Sequence, residues 1–326
     1  MSRNETIGVD LGGTKMLVGV LGDGSAVHHH NLASSHGRSQ EEVVDLLERE
    51  LRAALAARPE VAAVGLGVPC TIDRPQGICV NAVNLPLADL PLRELVTERL
   101  GLPTSMDNDG NVAALAEQRH GAARGATNVV LLTIGTGIGG GLIIDGRPYR
   151  GSSGAGAELG HVVIEQDGPP CQGSCPNRGC VEALASGTAL AREGLEAAQR
   201  HPDSALGALH REGREIDGRE IVAAAGAGDE VAVEVLALIG RRIGVALSSF
   251  ANTFDPDVIL LGGGVMAAGE LILERARSEL RARALPPQND VPVRAAALGE
   301  RAGMIGAATL ARDELEGVPA GGGSAR

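Results

Sequence analysis

Two stretches of this chain repeat one pattern, and the repeat limits the fold more than any other feature. Residues 7–24 read IGVDLGGTKMLVGVLGDG and residues 131–146 read LLTIGTGIGGGLIIDG. Each is an aliphatic run, a tight glycine turn, a second aliphatic run and an Asp-Gly turn, which predicts strand, turn, strand, turn. A supersecondary unit that recurs this far along a chain predicts two related α/β domains facing each other. Length points the same way, because 326 residues exceed what one hydrophobic core usually organises.

Between and after the repeats the chain alternates helix and strand signals. Ser39 and Glu42 make a capping box ahead of Val43, Leu47, Leu51 and Leu55 at helical spacing, and Pro59 closes the run. VAAVGLGVP (61–69) predicts a buried strand, and PLRELVTERLG (91–101) a short helix with Pro at its start and Gly at its end. LPTSMDNDG predicts a strand leading into a turn, and NVAALAEQRHGAA a helix. Helices are expected from Val181 and from near Asp229 to Thr253, and DPDVILLGGGV is a strand ending in three glycines. A last helix is expected at about 303–315, and the tail GVPAGGGSAR (317–326) is expected to be disordered. The run HHHN from His28 reads as an exposed strand rather than a metal site.

Composition excludes several classes. A net charge of -12 argues against non-specific nucleic-acid binding. MSRNETIGVDLGG holds no apolar signal region, and the longest apolar stretch (128–146) is broken by six glycines, so no membrane span is expected. Five cysteines do not make a disulfide scaffold, which favours a cytoplasmic setting with reduced thiols. Tyr149, Phe250 and Phe254 are the only aromatics, so the cores must pack with Ala, Val, Leu and Ile. Lys15 is the only lysine.

Both glycine turns place N–H groups where a strand ends and an anion could approach. In VDLGGTK, Asp10 could hold Mg²⁺ directly or through water, and Thr14 and Lys15 could touch phosphate; the plain alternative is a hairpin turn. Gly135, Gly137 and Gly140 match G-x-G-x-x-G, but a strand follows where a dinucleotide site needs a helix. In MDNDGN, Asn108 and Asp109 start a helix, either as its cap or with Asp109 as a catalytic base kept ionised by the helix N-terminus. The densest chemistry is GAELGHVVIEQDGPPCQGSCPNRGC (156–180), where His161, Cys171, Cys175 and Cys180 supply one nitrogen and three sulfurs. A Cys₃His set is a closed tetrahedral zinc site, hence structural; free thiols in a loop are the alternative. Cys70 and Cys79 lie apart from it and read as packing residues.

Taken together, DLGGTK, NDGN-AALAE, GTGIGGG, E-x-G-H and NRGCVE-ALASG resemble the ROK family of sugar kinases and repressors over nearly the whole chain, with bacterial glucokinases the nearer group. The resemblance implies an actin-like (ribonuclease H-like) α/β fold of duplicated βββαβα units with a cleft. It implies a small domain at 1–109, a large domain with the zinc loop at 110–302, and a helix at about 303–316 packing back onto the small one. ATP-Mg²⁺ would meet Asp10, Gly12, Gly13, Thr14 and Lys15, then Thr136 and Gly137, with Gly262, Gly263 and Gly264 on the adenosine side. Asp109 falls on the family's base; Asn108, Glu158 and His161 fall on its sugar ligands, and Asn84 and Glu182 on positions that help. His161 would also ligate zinc with Cys171, Cys175 and Cys180, fixing the ring for the sugar.

The implied activity is glucose phosphorylation at the 6-hydroxyl, with another hexose, or polyphosphate as donor, as alternatives. A ROK repressor would carry an N-terminal helix-turn-helix, for which a first strand near Ile7 leaves no room. The family further implies a homodimer or homotetramer. Two departures stand out: two extra residues separate Cys171 from Cys175 relative to C-x-C-G-x-x-G-C, and NLPLAD replaces NLPGW, removing a tryptophan from the sugar's surroundings.

Overall fold

A computed structural model of the chain describes residues 5–22, 26–82 and 84–318. The Asp-Gly turn expected at 23–24 and the expected disordered tail from 319 onward lie outside these residues. In chain order the first repeat gives β1 (Thr6–Leu11), β2 (Lys15–Leu21), β3 (Val27–Ser34), α1 (Gln40–Ala57) and β4 (Ala63–Val68). Next come β5 (Cys70–Asp73), β6 (Ile78–Ala82), β7 (Ala88–Leu90), α2 (Leu92–Leu100), β8 (Thr104–Asn108) and α3 (Asp109–His120). The second repeat gives β9 (Val129–Ile134), β10 (Ile138–Ile144) and β11 (Arg147–Pro148), then α4 (Val181–Ala185), α5 (Gly187–Arg200), α6 (Ala205–Arg211), α7 (Gly218–Gly226) and α8 (Glu230–Phe254). The chain closes with β12 (Val258–Gly262), α9 (Glu270–Arg283), β13 (Val293–Ala295) and α10 (Ala302–Leu315).

The repeat read from the sequence reappears as two sheets of one topology. The first has the order β3-β2-β1-β4-β8, with β1–β2 and β2–β3 antiparallel and β1–β4 and β4–β8 parallel. The second has the order β11-β10-β9-β12-β13, with β10–β11 antiparallel and β12–β13 parallel. This is the duplicated arrangement that the actin-like expectation requires. The three-stranded sheet β5-β6-β7 was not foreseen; its strands are short, and the register shift at Val80 leaves Val80 and Asn81 both exposed, which breaks the alternation that marks a strand in β6.

By internal contacts the chain forms two compact units: the described residues of Met1–Leu131, Gly141–Ala157 and Ala297–Arg326 in one, and Leu132–Gly140 and Glu158–Ala296 in the other. The hydrophobic core of the first unit joins β1, β2, β4 and β6 to Val43, Leu46, Leu47 and Leu51 of α1. The capping box sets the start of α1: the Glu42 amide donates to Ser39 Oγ at 3.3 Å, and the Ser39 amide donates to Glu42 Oε2 at 2.7 Å. In α2, Pro91 holds the N-cap and Gly101 ends the helix at φ 66°.

Helix α10 packs within the first unit on β1, β4 and α3. Every residue from Gly303 to Ala311 is buried, which is the pattern of a helix covered on all sides. The approach is backbone to backbone. A Cβ on Gly8 would stand 1.9 Å from the Met304 carbonyl oxygen, and one on Gly65 would stand 1.8 Å from that of Ala307. Cores built at this spacing hold small aliphatic side chains, in keeping with 1% aromatics. No described helix is long and apolar enough to cross a membrane.

Candidate active site

In the first unit the chain gathers Asp10, Gly12, Gly13, Thr14, Lys15, Asn84, Asn108 and Asp109. The first glycine turn is a tight hairpin: the Gly12 amide donates to the Lys15 carbonyl at 2.9 Å, and Ser35 Oγ donates to the Gly12 carbonyl at 2.5 Å. A Cβ on Gly13 would meet the Asn84 carbonyl at 2.5 Å, so glycine lets Asn84 come up against the turn. Thr14 and Lys15 are exposed, and Lys15 Nζ lies 2.8 Å from Glu300 Oε2. Asp10, the last residue but one of β1, lies against the first turn of α10, where a Cβ on Gly303 would stand 2.5 Å from its carboxylate. Burial first, and then the charge of Asp109, push the Asp10 carboxyl up to about 7, with Lys15 pulling the other way. Two carboxylates within electrostatic reach, beside an open amide turn, are a place for a cation.

Strand β8 delivers Asn108 and Asp109 to the start of α3. Asn108 is the N-cap, its Oδ1 accepting from the Gly110 amide at 2.9 Å; Asp109 is the first helical residue, and its Oδ1 accepts from the same amide at 2.9 Å. The helix terminus by itself favours the ionised form of Asp109. Here burial is the larger effect and raises its carboxyl above the usual range, against the amide bonds and the Asn108 side chain, which lower it. The result is a better proton acceptor than an ordinary aspartate. The residue that fixes this corner was missed: Asp107 is buried, its Oδ1 accepts from the Asn108 amide at 2.8 Å and from Asn111 Nδ2 at 3.0 Å, and its Oδ2 faces the buried Arg150 guanidinium at 2.5 Å. Arg150 sits 43 residues along the chain, so no local spacing announces the pair.

In the second unit lie Thr136, Gly137, Glu158, His161, Cys171, Cys175, Cys180, Glu182, Gly262, Gly263 and Gly264. The second glycine turn is braced from below. The Gly187 amide donates to the Gly135 carbonyl at 2.7 Å, Thr188 Oγ1 donates to the Thr136 carbonyl at 2.9 Å, and the Ile138 amide donates to Glu182 Oε2 at 2.7 Å. A Cβ on Gly137 would stand 2.4 Å from that same carboxylate oxygen. Gly262 ends β12 buried, while Gly263 and Gly264 are exposed; at φ 89° Gly263 lies so close to β9 that a Cβ would stand 2.4 Å from the Ile134 carbonyl. Both glycine segments are therefore backbone surfaces, the form that suits a phosphate chain and its nucleoside.

Glu158 is exposed, and its carbonyl accepts from the His161 amide at 3.1 Å, closing a 3-10 turn over Leu159–His161. His161 turns Nδ1 to Cys171 Sγ at 3.5 Å, and Cys175 Sγ lies 4.0 Å from Cys180 Sγ. The four donor atoms all fall within 4.8 Å of one another. Zn–S bonds of about 2.3 Å in a tetrahedron set sulfurs about 3.8 Å apart, so the residues fit the ion. The altered spacing does not displace Cys171: its amide donates to the Asn177 carbonyl at 2.9 Å, and Gly173 and Ser174 pass into an exposed turn. Burial and then the adjoining Cys180 and Cys175 sulfurs push the Cys171 thiol up, as expected of thiols crowded without a counter-charge. Cys171 Sγ also faces Glu182 Oε1 at 3.7 Å, which joins the cysteine loop to the brace of the second glycine turn.

Comparison with known proteins covers all of these segments. The ROK family pattern matches residues 6–314. A glucokinase from Streptomyces coelicolor is 37% identical over 317 residues, covering 94% of this chain and 98% of its own. A xylose repressor from Bacillus spizizenii is 29% identical over 311 residues, 94% of this chain and 76% of its own. A ROK family glucokinase from Streptomyces griseus, solved in complex with glucose and AMPPNP, shares the fold with a TM-score of 0.83 at 36% identity, over 95% of this chain and 99% of its own. With both glycine turns, the Asn108–Asp109 helix start and the cysteine loop inside one continuous match, the chain belongs to the ROK family.

Proposed function

We propose that this protein is a glucokinase that transfers the γ-phosphoryl group of ATP to the 6-hydroxyl of glucose. The observation that carries the reading is the environment of Asp109: a carboxylate fixed by the Gly110 amide, raised in basicity by burial, and close enough to Asp10 at the first glycine turn to perturb it. In this role Asp109 takes the proton of the attacking hydroxyl as the bond to phosphorus forms and the bond to the ADP oxygen breaks. Asn84, Asn108, Glu158 and His161 orient the sugar through its other hydroxyls. Glu182 contributes by holding the Ile138 amide and so the second turn. Backbone amides at 12–15 and 135–137 receive the phosphates, and Gly263 and Gly264 face the nucleoside. Mg²⁺ at Asp10 would supply neutralisation of the phosphate charge. Zn²⁺ on His161, Cys171, Cys175 and Cys180 would supply rigidity, since four protein ligands leave no open position.

ADP release from Mg-ATP with a panel of hexoses, for the unmodified protein and for Asp109→Asn, tests the proposal. Turnover with glucose, abolished in the variant, is the expected result. Turnover only with another hexose would reassign the substrate. No turnover with any sugar, with either ATP or polyphosphate as donor, would remove the kinase reading.

A further inference from the structure

A cavity of about 600 Å³ lies wholly within the first unit, and none of the residues assigned above to sugar, nucleotide or metal lines it. Its walls come from the β5–β6 hairpin, the first turn of α2, β8, the turn at 151–154 and the end of α10. Three arginines face it: Arg74, Arg93 and Arg150. That concentration is unusual in a chain of net charge -12.

The acceptors around the cavity are already engaged, and donors are left over. Glu314 uses Oε1 on Arg74 at 2.7 Å and Oε2 on Ser105 Oγ at 2.6 Å. Asp73 turns both oxygens to Gln76, at 3.2 Å to its amide and 2.9 Å to Nε2. Arg150 is taken by Asp107. Arg93 donates only to the carbonyls of Arg74 and Pro75, at 2.9 and 2.8 Å, so its charge meets no carboxylate among the described residues. Arg74 Nε is buried without a hydrogen-bond partner. Such a donor is costly to leave unmet. Burial and then the nearby Arg150 guanidinium hold Arg74 below the usual arginine range, a strain that an anion would relieve. Ser152 and Ser153 add exposed hydroxyls from a separate segment.

We propose that this cavity binds a small phosphate monoester, with Arg74, Arg93, Ser152 and Ser153 on the phosphate. Guanidinium forks and hydroxyls arriving from two segments suit an acceptor with three charged oxygens. The volume falls in the range of about 300–1,000 Å³ typical of small-molecule sites, which leaves room for the organic part of the ester. Thr71 is exposed at the wall to meet its hydroxyls. Arg150 links this wall through Asp107 to the Asn108 amide, so the ligand would sit one buried ion pair from the start of α3.

Isothermal titration and thermal shift with glycerol phosphate and with inorganic phosphate test the site on the full chain. Four proteins are compared: unmodified, Asp109→Asn, Arg93→Gln and Ser153→Asp. Saturable binding of the monoester is expected in the first two, weakened about ten-fold or more in the other two by loss of a charge-assisted bond or by like charge. Ser153 is exposed, so Ser153→Asp should keep the unliganded melting temperature and separate lost binding from lost folding. Absence of saturable binding, or binding unchanged in Ser153→Asp, would overturn the proposal. Competition by glucose would overturn it by placing the ligand at the sugar site, and equal affinity for inorganic phosphate would overturn the monoester assignment. Failure of the kinase reading leaves all of these outcomes readable.

Discussion

Asp109 carries two properties that a sequence presents separately. Its place at a helix start was legible, because Asn108, Asp109 and Gly110 are neighbours; its raised basicity was not, because burial is a property of the folded surroundings and not of adjacent sequence. Asp109→Asn should lower kcat for glucose by about 10²–10⁴-fold, with a much smaller change in KM, because general-base catalysis is lost and the side chain's shape is kept. The pH dependence has a definite sign. The base works unprotonated and its folded value is raised, so kcat/KM should begin to fall at a higher pH than the ordinary aspartate pKa of about 4 would give. A pH–rate profile flat down to the ordinary value would remove Asp109 from the role. The His161, Cys171, Cys175 and Cys180 cluster was legible for the same local reason, three cysteines and a histidine within one segment, although Glu182 bridging Cys171 and the Ile138 amide was not. Cys171→Ser should therefore lower bound zinc measured by elemental analysis. It should also raise KM for glucose more than KM for ATP, because His161 loses the partner that orients its ring. Equal zinc content in the variant and the unmodified protein would exclude Cys171 as a ligand.

Elements with their own punctuation were readable from the sequence: the capping box of α1, Gly101 after α2 and the Asp229 cap of α8 each stand where the structure begins or ends a helix. Elements held by distant partners were not. Strands β5 to β7 are short and depend on pairing with one another, across the register shift at Val80, more than on long alternation of their own. The junction of β8 with α3 depends on the Asp107–Arg150 pair, both members of which are almost completely buried. Removing one partner of such a pair strands the other charge, which typically costs about 3–5 kcal/mol. Arg150→Ala should lower stability to denaturant by that order and reduce kcat, because the freed Asp107 would no longer present the Asn108 amide in one geometry. The double variant Asp107→Leu, Arg150→Met should recover part of the stability and none of the activity. Full stability in Arg150→Ala would mean that the pair does not hold this junction.

At the scale of the molecule the repeat was the strongest signal, and it reappears as two sheets that share one strand order; the allotment of Gly141–Ala157 to the first unit left no trace in composition or spacing, since it follows from contacts alone. The charge distribution of the whole chain has a consequence of its own for stability. Asp10 is held up to about 7 and Asp109 is also raised, so between that value and the ordinary aspartate pKa of about 3.9 the folded chain binds more protons than the unfolded one. Stability from these two groups therefore increases as pH falls from above neutrality. Net charge acts in the same direction, because self-repulsion from -12 diminishes toward the isoelectric point near 5.2. Opposing carboxylates take over lower down. Glu193 is raised by burial but lowered further by hydrogen bonds from Arg242 and Arg192, and Glu5 is lowered by Arg58. Depressed carboxylates contribute stability that is present above the ordinary glutamate pKa of about 4.3 and lost as pH falls through their folded values. The melting temperature of the ligand-free protein should thus rise from pH 8 to a maximum at about pH 5–6 and fall steeply below about pH 4. Asp10→Asn should flatten the upper limb and leave the lower one in place. A melting temperature that declines steadily from pH 8 to pH 5, at protein concentrations low enough to avoid isoelectric association, would show that the two aspartates are not held in the strained state that their burial imposes.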